Sequence, residues 1–370
     1  MTRYRFSEHQ SDFGPCGAIG LMSGTSLDGV DAAFIETDGE RIFSVGPAAT
    51  LFYEDSLRLA LRRLLDCAPN LAPDDSDVAC LSRLVAVRHA EAAALLARSA
   101  EIIGFHGQTI LHDAARRRTW QIGDADLLAH KTRLPIAYDF RRNDVEAGGE
   151  GAPLAPLFHA ALAAELGKPL LIVNLGGVSN ITWLGADGTI LACDTGPGNG
   201  PLDDWIFAHT NQAFDRDGEI ALSGIVQEDR LAMLLADPYF ARPPPKSLDR
   251  LQFSSLVKRA TEDLSVADGA ATLVEFTAAA IATVPVPMPP RRVLVTGGGR
   301  HNAAMMGALQ RKIFVPVEPV EAVGWDGDAL EAQCFAFLAV RTARSLPLSL
   351  PTTTGVSIPM RGGRIVVPNL

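Results

Sequence analysis

Four short apolar runs each end in a glycine-rich polar cluster, and no other feature restricts the fold as much. They are Ala18-Ile19-Gly20-Leu21-Met22 before SGTSLDG, Leu170-Leu171-Ile172-Val173 before NLGGVSN, Ile190-Leu191-Ala192-Cys193 before DTGPGNG, and Val293-Leu294-Val295 before TGGGRHN. Apolar residues recur at helical spacing over roughly Glu54–Asp66, Ser82–Ala100, Pro156–Leu166, Ala271–Thr283 and Ala329–Ala343. Strands alternating with helices predict an α/β architecture, whose ligands bind at glycine loops outside the strand ends. At about 150 residues per domain, 370 residues suggest two domains or one large one.

The first two runs continue in the same way. Each enters a short polar turn and is followed at once by a second strand, Val30–Ile35 in one case and Val178–Trp183 in the other. This is a hairpin pattern, with Asp28-Gly29 expected to supply the positive-φ turn in the first. Two such hairpins about 150 residues apart suggest a duplicated fold with one phosphate-gripping hairpin per half.

The chain contains neither G-x-x-x-x-G-K-[ST] nor G-x-G-x-x-G, so the common nucleotide loops are absent. Hairpin turns of small residues hold polyphosphate differently, through backbone N–H groups and hydroxyls that converge on anionic oxygens. In Gly24-Thr25-Ser26-Leu27-Asp28-Gly29-Val30-Asp31, Thr25 and Ser26 offer donors and Asp28 a carboxylate for Mg²⁺; a plain tight turn is the competing reading. Asn174, Gly176, Gly177 and Asn180 form the second candidate hairpin, with the same alternative. Gly297-Gly298-Gly299, before a helix expected to begin near His301 or Asn302, leaves room for a flat ligand or an anion. Asp194 ends an apolar strand in a loop with little side-chain bulk, where a carboxylate serves as general base, or else as an Asx turn or helix cap. Arg141 and Arg142, in DFRRND, suit a bidentate grip on a carboxylate or phosphate, or a surface ion-pair network. His106 and Gln108 read as a polar substrate rim or as structural polar residues, and Glu331 as a cleft acid or a helix cap.

Lys plus Arg total 33 and Asp plus Glu 43, a net charge of −10 with no basic block, which argues against nucleic-acid binding. An anionic ligand must therefore be met by local cations or backbone donors. Five widely spaced cysteines (Cys16, Cys67, Cys80, Cys193, Cys334) form no C-x-x-C pair and read as reduced core thiols. The N-terminus has no apolar h-region, and the longest apolar stretch, Phe276–Pro290, is short and broken by prolines; a cytoplasmic protein that does not enter membranes is expected. The oligomeric state is open, a homodimer included. Ala241–Ser247, ARPPPKS, reads as a surface loop or rigid turn.

Nine segments in order, GLMSGTSLDGVDAAF, GFHGQTI, TWQIGD, DFRRNDVEAGGEGAPLAPLFH, NLGGVSNIT, DTGPGN, RPPPKS, LVTGGGRHN and DALEAQCFAFLA, resemble the anhydro-N-acetylmuramic acid kinase family, a branch of the actin, hexokinase and Hsp70 ATPase superfamily. The likeness runs from about Gly20 to Ala339; it departs at Glu150, often Gln in the family, and at Leu248-Asp249-Arg250-Leu251, commonly T-G-R-E. The resemblance implies a duplicated actin-like ATPase (ribonuclease H-like) fold, with lobes of residues 1–140 and 141–344 around a nucleotide cleft and a tail, 345–370, returning to the first. It implies an ATP- and Mg²⁺-dependent kinase acting on a small amino sugar, 1,6-anhydro-N-acetylmuramic acid. Asp194 would be its base, Gly24–Asp31, Asn174–Asn180 and Gly297–Gly299 its nucleotide site, and His106, Gln108, Arg141, Arg142 and Glu331 its sugar site.

Overall fold

In the computed structural model, which describes residues 14–24, 26–72, 74–96, 100–249 and 252–368, the apolar runs are the central strands of two sheets. Strands β1 (Cys16–Ser23), β2 (Gly29–Thr37) and β3 (Ile42–Phe52) form an antiparallel meander; β4 (Ile102–Asp113) lies parallel to β1, with β5 (Arg118–Ile122) on its far half, and β6 (Ile136–Tyr138) lies parallel to β4. The strand Arg364–Val366 closes this sheet antiparallel to β6. In the second sheet β7 (Leu170–Leu175), β8 (Val178–Leu184) and β9 (Ile190–Pro197) make the meander, and β10 (Arg292–Thr296) and β11 (Val317–Pro319) follow in parallel. Order and direction are the same in both, meander strands three, two and one and then two parallel strands, so the fold is a duplicated α/β unit.

The chain divides into two compact units, residues 1–164 with 329–351 and 356–370, and residues 165–328 with 352–355. The lobe boundaries expected at 140/141 and 344/345 therefore move. Residues 141–164 join the first unit because Asp144 accepts from Gly151 N and from the Ser349 hydroxyl, while Phe158 packs on Phe337. The helix Leu330–Ala343 joins it through two glycines that face each other across β1 and β4. A Cβ on Gly20 would lie 1.7 Å from the Ala332 carbonyl oxygen, and one on Gly104 1.9 Å from that of Phe335. Helix backbone thus rests on sheet backbone, and the other face of the sheet is covered by Leu61, Leu64, Val85 and Leu128 from three further helices.

Helix starts lie upstream of the apolar periodicity where a polar cap sets them. Asp75 accepts from Asp77 N and Val78 N to begin Ser76–Ala94, and Ser265 accepts from Asp268 N to begin Val266–Ala282. Only Cys193 and Cys334 are buried; Cys67 and Cys80 are exposed, against the expectation of core thiols, and all five are unbridged.

Gly104→Ala, a single methyl group, is expected to destabilise by roughly 1–3 kcal/mol or more through overpacking. Thermal unfolding should fall by several degrees, at about 2–4 °C per kcal/mol. An unchanged melting temperature would show that the helix can lift without cost.

Candidate active site

The first hairpin joins Ser23 to Gly29 by a five-residue turn. Its positive φ sits at Leu27 (61°), whose side chain is fully buried and whose N–H donates to Gly24 O at 3.2 Å. Gly29 does not supply it; that glycine instead admits β3, since a Cβ there would lie 2.4 Å from Leu51 O. Burying Leu27 turns Ser26 and Asp28 outward, and both are exposed. Val30 is buried and Asp31 accepts from the Thr50 hydroxyl at 2.6 Å. Thr25 lies outside the described residues.

Gln108 is fully buried and braces this turn: its Oε1 accepts from Ser23 Oγ at 2.6 Å and its Nε2 donates to Gly24 O at 3.2 Å, while Tyr53 Oη donates to Ser23 Oγ at 2.9 Å. These bonds make Gln108 a brace for the turn. His106 is likewise buried, stacked on Phe335 with centroids 4.4 Å apart. Its Nε2 accepts from Arg141 Nε at 3.1 Å, and Arg141 also donates to Gly151 O at 2.9 Å. Burial, with the Arg141 cation beside it, holds the His106 imidazole well below its ordinary pKa and therefore neutral, as that acceptor role requires. The adjacent arginines diverge, for Arg142 turns to Asp139 (2.7 Å), which also pairs with Arg364 (3.3 Å). Glu331 is exposed in the first turn of its helix.

In the second unit three glycine segments meet. The two-residue turn Gly176-Gly177 gives its carbonyls to Asn199 N (2.7 Å), Gly198 N (3.0 Å) and Gly200 N (3.1 Å), and Asn199 Nδ2 donates to Leu175 O. Gly297 takes φ 78° where a Cβ would strike Asn174 Oδ1 at 2.4 Å, and a Cβ on Gly299 would strike Asn199 Oδ1 at 2.6 Å. Gly298 is exposed, its nearest such neighbour being Asn199 Nδ2 at 3.8 Å. Asn174 and Asn180 face each other across β7 and β8. The triglycine is a short 3₁₀ turn rather than a helix start, and Asn302 caps the helix Ala303–Lys312. Arg300 underpins the turn. Its side chain, 2% exposed, donates to Gly297 O at 3.1 Å and pairs with Glu321 (2.8 Å) and Asp328 (2.9 Å).

Asp194 is 6% exposed, opposite Asn180 on β9, the edge strand of its sheet. Its N–H donates to Lys246 O (2.9 Å), its Oδ2 accepts from Leu248 N (2.8 Å), and its carbonyl accepts from Tyr239 Oη (2.9 Å). The proline segment therefore is not wholly a surface loop: Arg242 and Pro243 are exposed, but Lys246 and Leu248 are buried against the strand.

A sequence profile described as anhydro-N-acetylmuramic acid kinase matches residues 17–368. The chain belongs to the anhydro-N-acetylmuramic acid kinase family. The protein of that name from Acidiphilium cryptum is 72% identical over 351 residues, covering 95% of this chain and 98% of the relative. Those from Gluconobacter oxydans and Paramagnetospirillum magneticum are 53% and 52% identical, covering 94% and 95% of this chain and 99% of each relative.

Within this kinase family member, then, Asn174, Gly176, Gly177, Asn180, Gly297–Gly299 and Asp194 belong to one unit, and Gly24–Asp31, His106, Gln108, Arg141, Arg142 and Glu331 to the other. Arg300, Lys246 and Asp144 carry no sequence signal of their supporting roles, though each lies inside or beside a recognised segment. No helix among the described residues is long and apolar enough to cross a membrane.

Three buried histidines, His89, His106 and His159, and the half-buried His112 all belong to the first unit. Burial pushes His89, His112 and His159 down to about 4. The unfolded chain therefore takes up protons near pH 6.5 that the fold refuses until about pH 4, so stability rises with pH across this window and is lost as pH falls. Each histidine contributes at most about 1.4 kcal/mol per pH unit. Between pH 7 and 5, hydrogen-exchange protection, corrected for the intrinsic pH dependence of exchange, is expected to fall in residues 14–164 before 165–328. Equal onset in both units would contradict the assignment.

Proposed function

We propose that this chain uses ATP to convert 1,6-anhydro-N-acetylmuramic acid, a cell-wall recycling intermediate, into N-acetylmuramic acid 6-phosphate and ADP. The observation that carries the reading is Asp194, a buried carboxylate within β9, three residues before that strand ends rather than in the loop after it, held by the Leu248 N–H on its Oδ2. Asp194 takes a proton from water as its oxygen bonds to the anomeric carbon. The bond from that carbon to O6 breaks, and O6 takes the γ-phosphoryl group while ADP leaves. Positioning and charge neutralisation carry such transfers, which backbone donors and local cations supply.

We assign Gly24–Asp31 to the terminal phosphates, Asn174, Gly176, Gly177 and Asn180 to the second phosphate side, and Gly297–Gly299 to the adenosine, where exposed Gly298 offers a surface without side chain. Arg141 or Arg142 meets the lactyl carboxylate, and Glu331 stands at the rim of the sugar site. The two arginines differ in readiness for that role, since Arg141 is committed to His106 and Gly151, whereas Arg142 is half-exposed beside Asp139. Magnesium, when bound, neutralises phosphate oxygens. Among the described residues no group of three or more His, Cys, Asp or Glu makes a cage, which suits an ion held by phosphate, water and one carboxylate; exposed Asp28 is that carboxylate in our reading. A cytoplasmic location, where ATP is at hand, belongs to the same proposal.

Coupled ADP release with the anhydro sugar beside its reducing form tests the reaction; turnover of the reducing sugar alone would mean an ordinary amino-sugar kinase. Asp194→Asn should keep its melting temperature and calorimetric binding of both substrates while losing turnover by at least about 10²-fold. A folded, binding variant above a tenth of wild-type rate would remove the base. Asp28→Asn should raise the magnesium concentration needed for half-maximal rate and leave sugar binding unchanged; normal turnover at limiting Mg²⁺ would clear Asp28 of that role.

A further inference from the structure

The proline-rich segment that the reaction scheme leaves unused carries, as its penultimate residue, a lysine buried to 2% exposure. Its ammonium donates to Tyr239 O at 2.9 Å and lies 4.4 Å from the centroid of the Tyr239 ring. Both partners are neutral, and an ammonium taken out of water requires a counter-charge. The same stretch of chain holds Asp194 at three points: Lys246 O takes its N–H, Leu248 N binds Oδ2, and Tyr239 Oη binds its carbonyl. We propose that Lys246 is a positioning residue for Asp194, its buried charge keeping the carboxylate ionised while the backbone on either side of it fixes the carboxylate's direction.

The proposal rests on Asp194 acting as the base. Among the described residues, several groups near Asp194 carry or can acquire charge, Asp249 beside Leu248 included. Cys193 precedes it on β9, Tyr239 and Arg242 lie on the facing segment with Lys246, and the paired strand β8 brings the amide Asn180. Burial raises the Cys193 thiol to about 12, so it stays neutral. Burial pulls the Lys246 ammonium below the ordinary lysine range, and the nearby Arg242 does the same; negative charge at Cys193 and Asp194 opposes both. With Cys193 neutral, the charge of Asp194 is the one on β9 that favours the Lys246 ammonium. Removing the cation must therefore make the carboxylate more basic, not less.

The test is the pH dependence of kcat/KM for the anhydro sugar at saturating ATP in wild type, Lys246→Met, Lys246→Gln and Lys246→Arg. Gln keeps a donor for Tyr239 O and serves where the Met variant folds poorly. Both neutral variants should move the acidic limb upward by about one pH unit or more, the usual effect of losing an adjacent opposite charge. They should lose at least tenfold in kcat/KM at the lowest pH at which wild type works well, with melting temperature retained. Arg should restore the limb even where kcat falls. Ionisation of ATP is common to all four and cancels. A folded neutral variant with an unmoved limb overturns the proposal. An active Asp194→Asn enzyme would instead overturn the base itself, so the two failures are distinguishable.

Discussion

Close approach of backbone to backbone is the constraint on which the rest of this structure depends. In the first unit Gly20 and Gly104, neighbours across β1 and β4, let the helix Leu330–Ala343 lie with its carbonyls against the sheet, at distances no side chain permits. In the second unit a Cβ on Gly198 would stand 2.2 Å from Gly176 O, and Gly297 and Gly299 fit around Asn174, Leu175 and Asn199 by the same device. Glycine costs conformational entropy on folding, about 0.5–1 kcal/mol against alanine in regular structure. The chain accepts that cost where removing side chains brings peptide dipoles together at strand ends, and those ends carry the proposed nucleotide and sugar contacts.

Cations turned inward are the second recurring device in this acidic protein. A net charge of −10 opposes anionic substrates, yet Arg300, Lys246 and Arg141 each point inward and bind backbone carbonyls of Gly297, Tyr239 and Gly151. A carbonyl bound by a cation is a fixed point in a loop that otherwise has few side chains to anchor it. Arg300 goes further, pairing with Glu321 and Asp328, so that a Cβ on Gly327 would meet its guanidinium at 2.4 Å. Such pairs add little net stability, because desolvation offsets the attraction, but removing one member leaves a buried charge uncompensated. They specify loop geometry more than they hold the fold together.

Both devices bear on what is legible in the sequence. The strands that run into glycine clusters and both hairpins are, because apolar runs against such clusters record burial directly, and the order of the segments points to the family. The αL conformation of Leu27 is not: a non-glycine residue at positive φ leaves no composition signal, and the pattern points to Asp28-Gly29 instead. Nor is the inward turn of Gln108, Lys246 and Arg300, since polar and charged residues read as surface until a structure shows their partners. Discontinuous unit boundaries are hidden for a different reason. The residues that claim the helix Leu330–Ala343 are glycines more than 200 positions upstream, and no local periodicity reports contact at that separation.

Duplication has left two solutions to one geometry. Met22 and Asn174 occupy equivalent places, one residue before the end of the first meander strand. Each faces the second strand at Asp31 or Asn180, and these in turn face the third at Thr50 or Asp194. The acid thus stands on the second strand in one unit and on the third in the other. In the first, its oxygen is occupied by the Thr50 hydroxyl beside a five-residue turn whose Ser26 and Asp28 remain exposed. In the second, a two-residue turn spends its carbonyls on Gly198, Asn199 and Gly200, and the carboxylate moves outward to the edge strand, where the lysine segment covers it. A loop with exposed donors suits an anion, and an edge-strand carboxylate aimed by a neighbouring segment suits proton transfer. Identical topology therefore presents different polar groups in each half, because turn length decides which of them the backbone has already used.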